Sequence, residues 1–168
     1  YSPNRIDPGN KEWPLERIPK VVGGIDEDCT ELAFLLYSQV FEKVLKASSP
    51  RVAEAVKMLE NIFRAVNIAL VNELAIVFEK LSIDTFEVIR LASTKPFGFL
   101  PHYPGAGVGG HCIPVDPYYM DYKARELGVR TRFIELAGEI NQSMPHHVVS
   151  LLQRALNTAG KPVTGSVI

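Results

Sequence analysis

What this sequence has little of narrows its function before any motif is considered. Charge of one sign is scarce: 18 basic and 19 acidic side chains leave a formal net charge of −1 over 168 residues. Without a concentrated positive field, neither nucleic acid nor an anionic membrane surface is an expected partner. No stretch reaches the roughly 18 uninterrupted apolar residues of a bilayer span. Cysteine is scarce as well. Cys29 and Cys112 are the two in the chain, too few for a disulfide framework, so a reducing cytoplasm is the expected setting. The N-terminus, Tyr1-Ser2-Pro3-Asn4-Arg5, has no Met and no signal-peptide pattern, and reads as a cut edge. No internal repeat is evident.

Apolar residues make up 46% of the chain, enough for a real core in one or at most two domains. Residues 1–20, rich in Pro, Asn and charge, read as loop. Lys20-Val21-Val22 followed by Gly23-Gly24 reads as a short strand and turn. Helical spacing then runs from Asp28 to about Val44 through Leu32, Leu35, Leu36 and Val40. Leu45 to Ser49 is a candidate short strand. The main element is Arg51 to about Leu81, where Val52, Val56, Leu59, Phe63, Val66, Leu70, Leu74, Val77 and Leu81 recur in steps of three or four. A helix of about thirty residues spans about 45 Å, a length that joins domains or forms a subunit contact. Asp84 with Glu87 three residues on predicts an N-cap and a helix to about Ser93. Further helices are expected from Asp116, as N-cap before Pro117, to Leu127, and from Phe133 to Ala159 with a bend at Pro145.

Between them, residues 95–114 hold five glycines and four prolines, which excludes helix and central strand. Long ordered loops of this kind often carry function. Cys112 lies in this loop, two residues before Pro114. Glycines let backbone approach a ligand closely, and a thiol there is placed for nucleophilic work. A free thiol titrates at about 8.5 and needs a nearby cation or donor to be activated. Loop context alone leaves nucleophile and small buried hydrophobe both open. Lys57 and Asn61 lie one helical turn apart and share a face. They could stabilise an oxyanion, although on spacing alone a solvated lysine and a helix-surface amide is the commoner arrangement. Asp116 reads first as a cap. His111 beside Cys112 lacks further ligands at metal-binding spacing, so no metal is expected. His146 and His147 read as surface. The glycines at 105–110 are no dinucleotide fingerprint, since they follow no apolar strand and open no dinucleotide-binding helix.

Pro104-Gly105-Ala106-Gly107-Val108-Gly109-Gly110-His111-Cys112-Ile113-Pro114-Val115-Asp116-Pro117-Tyr118-Tyr119 resembles the cysteine signature of the UDP-glucose/GDP-mannose dehydrogenase family. Ala53-Glu54-Ala55-Val56-Lys57, Asn61-Ile62-Phe63-Arg64-Ala65 and Asn72-Glu73-Leu74-Ala75 resemble its central-helix signature. Ser2-Pro3-Asn4-Arg5 with Pro8-Gly9-Asn10 resembles the segment after the catalytic loop of its NAD domain. The His111-to-Asp116 variant and Lys95-Pro96-Phe97-Gly98-Phe99 most resemble the bacterial branch that acts on UDP-N-acetylhexosamines for surface polysaccharides.

The resemblance implies a mainly α chain: the central helical domain of a nucleotide-sugar dehydrogenase with a partial Rossmann-like α/β segment at its N-terminus. It implies the end of an NAD domain at 1–50, the central helical domain at 51–160 and the start of a UDP-binding domain at 161–168. It implies NAD as cofactor, with the fingerprint outside this chain, a UDP-sugar substrate and a homodimer through the central helices. In the family's chemistry a primary alcohol is oxidised twice to a carboxylate through a cysteine thioester. Cys112 is then the nucleophile, Lys57 and Asn61 stabilise the oxyanion, and Asp116 handles water with Lys57. Tyr103 and the loop with Gly105, Gly107, Gly109 and Gly110 hold the nucleotide sugar, with Lys95 near the sugar. Family members carry Glu where Asn4 stands, and an amide cannot act as a general base. The rival readings are a helical dimerisation module without activity and a two-electron hydroxyacid-type dehydrogenase, which would need no thioester at Cys112.

Overall fold

The computed structural model describes residues 1–6 and 9–166. Pro8, within one of the family-like segments, and Val167-Ile168, at the end of the segment read as the start of a UDP-binding domain, lie outside the described residues. The chain is mainly α. It forms two compact units, Tyr1–Asn61 and Ile62–Ile168, and one long helix contributes to both.

The first unit holds a β-α-β crossover. Strand β1 (Lys20–Val22) pairs in parallel with β2 (Val44–Lys46), with Val21 opposite Leu45, and α1 (Glu27–Tyr37) connects them. Val21 and Val22 are buried. Asp26 caps α1 by accepting the Cys29 N–H at 2.7 Å. The helix predicted to reach Val44 stops at Tyr37. Ser38 to Phe41 tighten into turns on the carbonyls of Phe34, Leu36 and Tyr37, which frees Val44 to pair with Lys20. Sheet pairing with a strand more than twenty residues away overrides the local helical periodicity. Leu32, Leu35, Leu36 and Val40 are all exposed.

Helix α2 (Pro50–Lys80) is the predicted long helix, 31 residues. Pro50 is its first residue, where its missing N–H costs nothing, and the Ser49 hydroxyl accepts the Val52 N–H at 3.2 Å. The apolar periodicity located the helix but not its buried side. Leu59, Phe63, Leu70, Leu74, Val77 and Leu81 are exposed, while the buried positions are Ala53, Asn61, Ala65, Ala69 and Asn72. By length and composition alone α2 is also apolar enough to cross a membrane, with a mean hydropathy of 1.5 over its best window.

In the second unit α3 (Thr85–Ala92) is capped by Asp84, whose carboxylate accepts from Phe86 N and Glu87 N, as predicted. No helix or strand occurs from Ser93 to Val115. Then come α4 (Asp116–Glu126) and α5 (Arg132–Thr158). Gly128 and Gly160 take positive φ just past the ends of these helices. There the N–H groups of Val129 and Lys161 bond back to Ala124 and Leu156, the glycine-terminated helix ending that L-residues with a Cβ resist. Helix α5 runs unbroken through Pro145. Tyr118 of α4 lays its hydroxyl over Gly138 of α5, where a Cβ would meet the oxygen at 2.3 Å, and Gln142 donates to that hydroxyl at 3.0 Å.

Candidate active site

Cys112 is exposed, with its thiol free. Its backbone carbonyl accepts from Val115 N at 3.2 Å and Asp116 N at 2.8 Å. Ile113-Pro114-Val115 therefore wind into a turn that leads straight into α4. This turn corrects the expected cap. Val115 takes the N-cap position and Asp116 is the first helical residue, with Pro117 after it. Cys112 thus sits one turn before a helix N-terminus, on backbone tied to that helix.

Upstream, Tyr103 stacks on Phe86 of α3, with ring centroids 6.4 Å apart and planes 17° off parallel. Gly105 N–H donates to the side-chain carbonyl of Asn72 at 2.9 Å. Gly107 has a φ of 99°, and a Cβ there would lie 3.0 Å from the Asn141 carbonyl oxygen and 3.6 Å from the Pro145 ring. Gly109 and Gly110 differ: a Cβ at either would meet nothing within 4 Å. A glycine is needed at Gly107, where the loop is seated, and two more, Gly109 and Gly110, leave backbone uncovered beside the cysteine. Lys95, at the start of the loop, is exposed and lies over the Phe97 ring at 5.2 Å.

In the first unit, Lys57 is half-buried on α2 and Asn61, one turn on, is 5% exposed. The amide at this position is therefore not the surface residue that spacing alone favoured. Asn4 turns its side-chain oxygen onto its own backbone, accepting the Ile6 N–H at 3.1 Å. Arg5 reaches Glu60 of α2 at 2.6 Å and the Pro19 carbonyl at 2.7 Å.

The sequence profile of the central domain of the UDP-glucose/GDP-mannose dehydrogenase family matches residues 51–143, more than half of the chain. The chain belongs to the UDP-glucose/GDP-mannose dehydrogenase family. It is 47% identical to Protein CapL of Staphylococcus aureus, over all of this chain and 39% of that protein. It is 46% identical to the UDP-N-acetyl-D-glucosamine 6-dehydrogenase of Pseudomonas aeruginosa, over 93% of this chain and 37% of that protein. Its fold matches that of UDP-D-ManNAc dehydrogenase from Pyrococcus horikoshii with a TM-score of 0.84 and 35% identity, over 95% of this chain and 37% of that one. The chain therefore spans about two fifths of the length of the curated relatives it matches.

The β1–α1 turn gives a dinucleotide no pyrophosphate seat. The turn after β1 is filled: a Cβ on Gly23 would meet the Ser49 carbonyl oxygen at 2.5 Å, and one on Gly24 the Thr30 nitrogen at 2.4 Å. The N-terminus of α1 carries Asp26, Glu27 and Asp28, which repel the anion that a helix N-terminus otherwise attracts. Among the described residues no three His, Cys, Asp or Glu side chains gather as metal ligands. His147 of α5 is half-buried, not surface as read from sequence, and pairs with Glu79 of α2 at 3.2 Å, which Arg154 also bridges.

Two residues were given no role by the sequence reading. Asn72, fully buried, donates its side-chain N–H to Asn141 at 2.9 Å. Asn141 of α5, also buried, donates in turn to the Ala65 carbonyl at 3.1 Å. The available signal was the run Asn61, Ala65, Ala69 and Asn72, small and amide side chains at helical spacing opposite the apolar stripe.

Proposed function

We propose that this chain is the middle portion of an NAD-dependent nucleotide-sugar 6-dehydrogenase that oxidises the primary alcohol of a UDP-N-acetylhexosamine to the uronic acid. On this reading residues 1–50 end the NAD-binding domain, 51–160 form the central domain and 161–168 open the UDP-binding domain. The enzyme is cytoplasmic and serves surface polysaccharide biosynthesis. The observation that carries the reading is Cys112. It is an exposed thiol at the mouth of α4, beside the uncovered backbone of Gly109 and Gly110, in a chain whose relatives bear the names of UDP-N-acetyl-sugar dehydrogenases.

The Cys112 thiolate adds to the sugar aldehyde. A carbon–sulfur bond forms and the carbonyl π pair moves onto oxygen. Lys57 and Asn61 offer that oxyanion a cation and an amide N–H from adjacent turns of α2. At the thioester stage water adds to the carbonyl carbon, the carbon–sulfur bond breaks and the thiolate returns. Asp116 takes the water proton. The uncovered glycines, with Tyr103 and Lys95, hold the nucleotide sugar. Both oxidations need a hydride acceptor, and on this reading it is NAD, with the dinucleotide fingerprint in other parts of the enzyme.

The enzyme pairs through α2. The exposed side chains of Phe63, Leu70, Leu74, Val77 and Leu81 recur at helical spacing along one stripe of that helix, and a second copy covers them. The test is NADH formed per UDP-N-acetylglucosamine consumed. About two NADH per sugar, with carboxylate formation abolished by Cys112→Ala, is the expected result for two successive two-electron oxidations. One NADH per sugar, unaffected by Cys112→Ala, would leave a two-electron alcohol dehydrogenase instead. The same apolar stripe favours a second reading, a dimerisation module with no activity of its own. Turnover by this chain alone, set against the whole enzyme, separates the two.

A further inference from the structure

Beside the loop that carries Cys112 lies an open pocket of about 290 Å³, lined by Val66 of α2, Ala106, Gly107 and Ile113 of the loop, and Ile134 and Ala137 of α5. A short directional chain of hydrogen bonds ties the loop to α2 and α5. It runs from the Ala65 carbonyl to Asn141, from Asn141 to Asn72, and from Asn72 to the Gly105 N–H, at 3.1, 2.9 and 2.9 Å. Asparagine suits the middle of such a chain because it donates and accepts at once. Asn72 is 0% exposed, and its bond to Asn141 and that of Asn141 to Ala65 are both buried, out of competition with water.

A second seat lies two residues further along. Pro145 has no N–H, so the Asn141 carbonyl lacks the donor it would have four residues on in an uninterrupted helix. Gly107 rests against that carbonyl, at a positive φ and with room for hydrogen only. Asn141 therefore meets the loop twice, with its side chain through Asn72 and with its backbone at Gly107. Both points lie five to seven residues before Cys112.

We propose that Asn72 and Asn141 are positioning residues, a latch that sets where the glycine loop, and with it the Cys112 thiol, stands beside the pocket. The inference rests on the proposed role of Cys112, and it touches no reacting atom directly. Asn72 cannot be replaced by Asp without loss, since a carboxylate keeps the acceptor for Gly105 but has no N–H for Asn141.

The test is made in the intact enzyme with three readouts. In Asn72→Ala, exchange of the Gly105 amide is expected to quicken at least about tenfold while the amides of α3 keep their rates, the mark of local opening. Alkylation of Cys112 by iodoacetamide changes by at least about threefold, and kcat falls at least about tenfold with KM for the UDP-sugar little altered, the cost of a misplaced nucleophile. A uniform loss of protection across α2, α3 and α5 would make Asn72 merely structural and overturn the proposal. So would a folded variant with Gly105 exchange and Cys112 alkylation unchanged. Should Asn72→Ala fail to fold, Gly107→Ala displaces the loop from its outer side, and unchanged readouts there overturn the proposal equally. Exchange and alkylation need no substrate, so an unmutated enzyme that turned over no UDP-sugar would count against the proposed function and still leave the latch tested.

Discussion

Replacing Leu70 by Glu puts the pairing of α2 to a quantitative test. Leu70 is 54% exposed in the middle of the stripe that runs from Phe63 to Leu81. Complete burial of a leucine side chain contributes about 1.5–3 kcal/mol, so the exposed half is worth about 1–1.5 kcal/mol per copy when a partner covers it. In a twofold interface the same residue contributes from both subunits, which doubles the figure to about 2–3 kcal/mol. At about 1.4 kcal/mol per factor of ten, that is a dissociation constant about thirty- to a hundred-and-fiftyfold weaker. Glutamate adds to this, since a carboxylate stripped of water without a cation costs several kcal/mol more, as an order of magnitude. The expected shift is thus at least about a hundredfold.

Sedimentation equilibrium over a wide concentration range measures the change. Leu127→Glu is the control: Leu127 is 73% exposed at the end of α4, on a different helix from the stripe, and its substitution is expected to leave association within about threefold, as surface changes do. A protein that is monomeric at tens of micromolar without any substitution would refute the pairing. So would equal effects of the two substitutions, which would mean that any added charge disrupts association and that the stripe has no special part.

Two further predictions concern single polar groups in the first unit. Asn4 accepts its bond from Ile6 N–H and stands where the family resemblance implies a Glu, so on the proposed mechanism Asn4→Glu is expected to quicken thioester hydrolysis by about a hundredfold, the usual contribution of a general base. Rapid-quench measurement of the acyl-enzyme lifetime checks it, and an unchanged lifetime would mean that hydrolysis does not depend on this position. Asp26 holds the Cys29 thiol above its ordinary pKa, first by its side-chain hydrogen bond, then with burial and the charges of Asp26 and Asp28 adding to it. A raised thiol pKa means less thiolate at a given pH below it, so Asp26→Asn is expected to lower that pKa and speed alkylation of Cys29 at pH 8. Asparagine caps helices as well as aspartate does, so α1 should keep its helicity by circular dichroism, and slower or unchanged alkylation would show that the carboxylate is not the cause.

What could be read from sequence was what is decided locally. The long uninterrupted periodicity of α2, the Asp84 cap three residues ahead of Glu87, and Gly128 and Gly160 at helix ends are each settled within a turn or two of chain. The end of α1 was not legible, because Val44 belongs to a pairing with Lys20 that no window around it contains. The start of α4 moved by one residue because the Cys112 carbonyl accepts the Val115 and Asp116 amides and Val115 takes the cap position. At the candidate site, loop composition pointed to Cys112, while Lys57 and Asn61 were singled out by the family resemblance, spacing alone favouring a surface reading. Neither revealed how the loop is held. An amide has no preferred place in an apolar pattern, and Asn72 finds its partner 69 residues away.

The two sides of α2 explain why its pattern misleads. Large apolar side chains attract any apolar surface and specify little about position, which suits a face met by another subunit. Small and amide side chains do the opposite. Ala65 lets α5 come near enough for Asn141 to reach its carbonyl, and Asn72 then accepts one particular N–H in one direction. An apolar residue at Asn72 would bury as well, yet it would leave the Gly105 N–H without a partner and the loop free to slide over the pocket beside it. The polar residue in the core is therefore best understood as a device for register. It costs stability relative to good apolar packing and fixes the approach of a loop that its own glycines would otherwise leave loose.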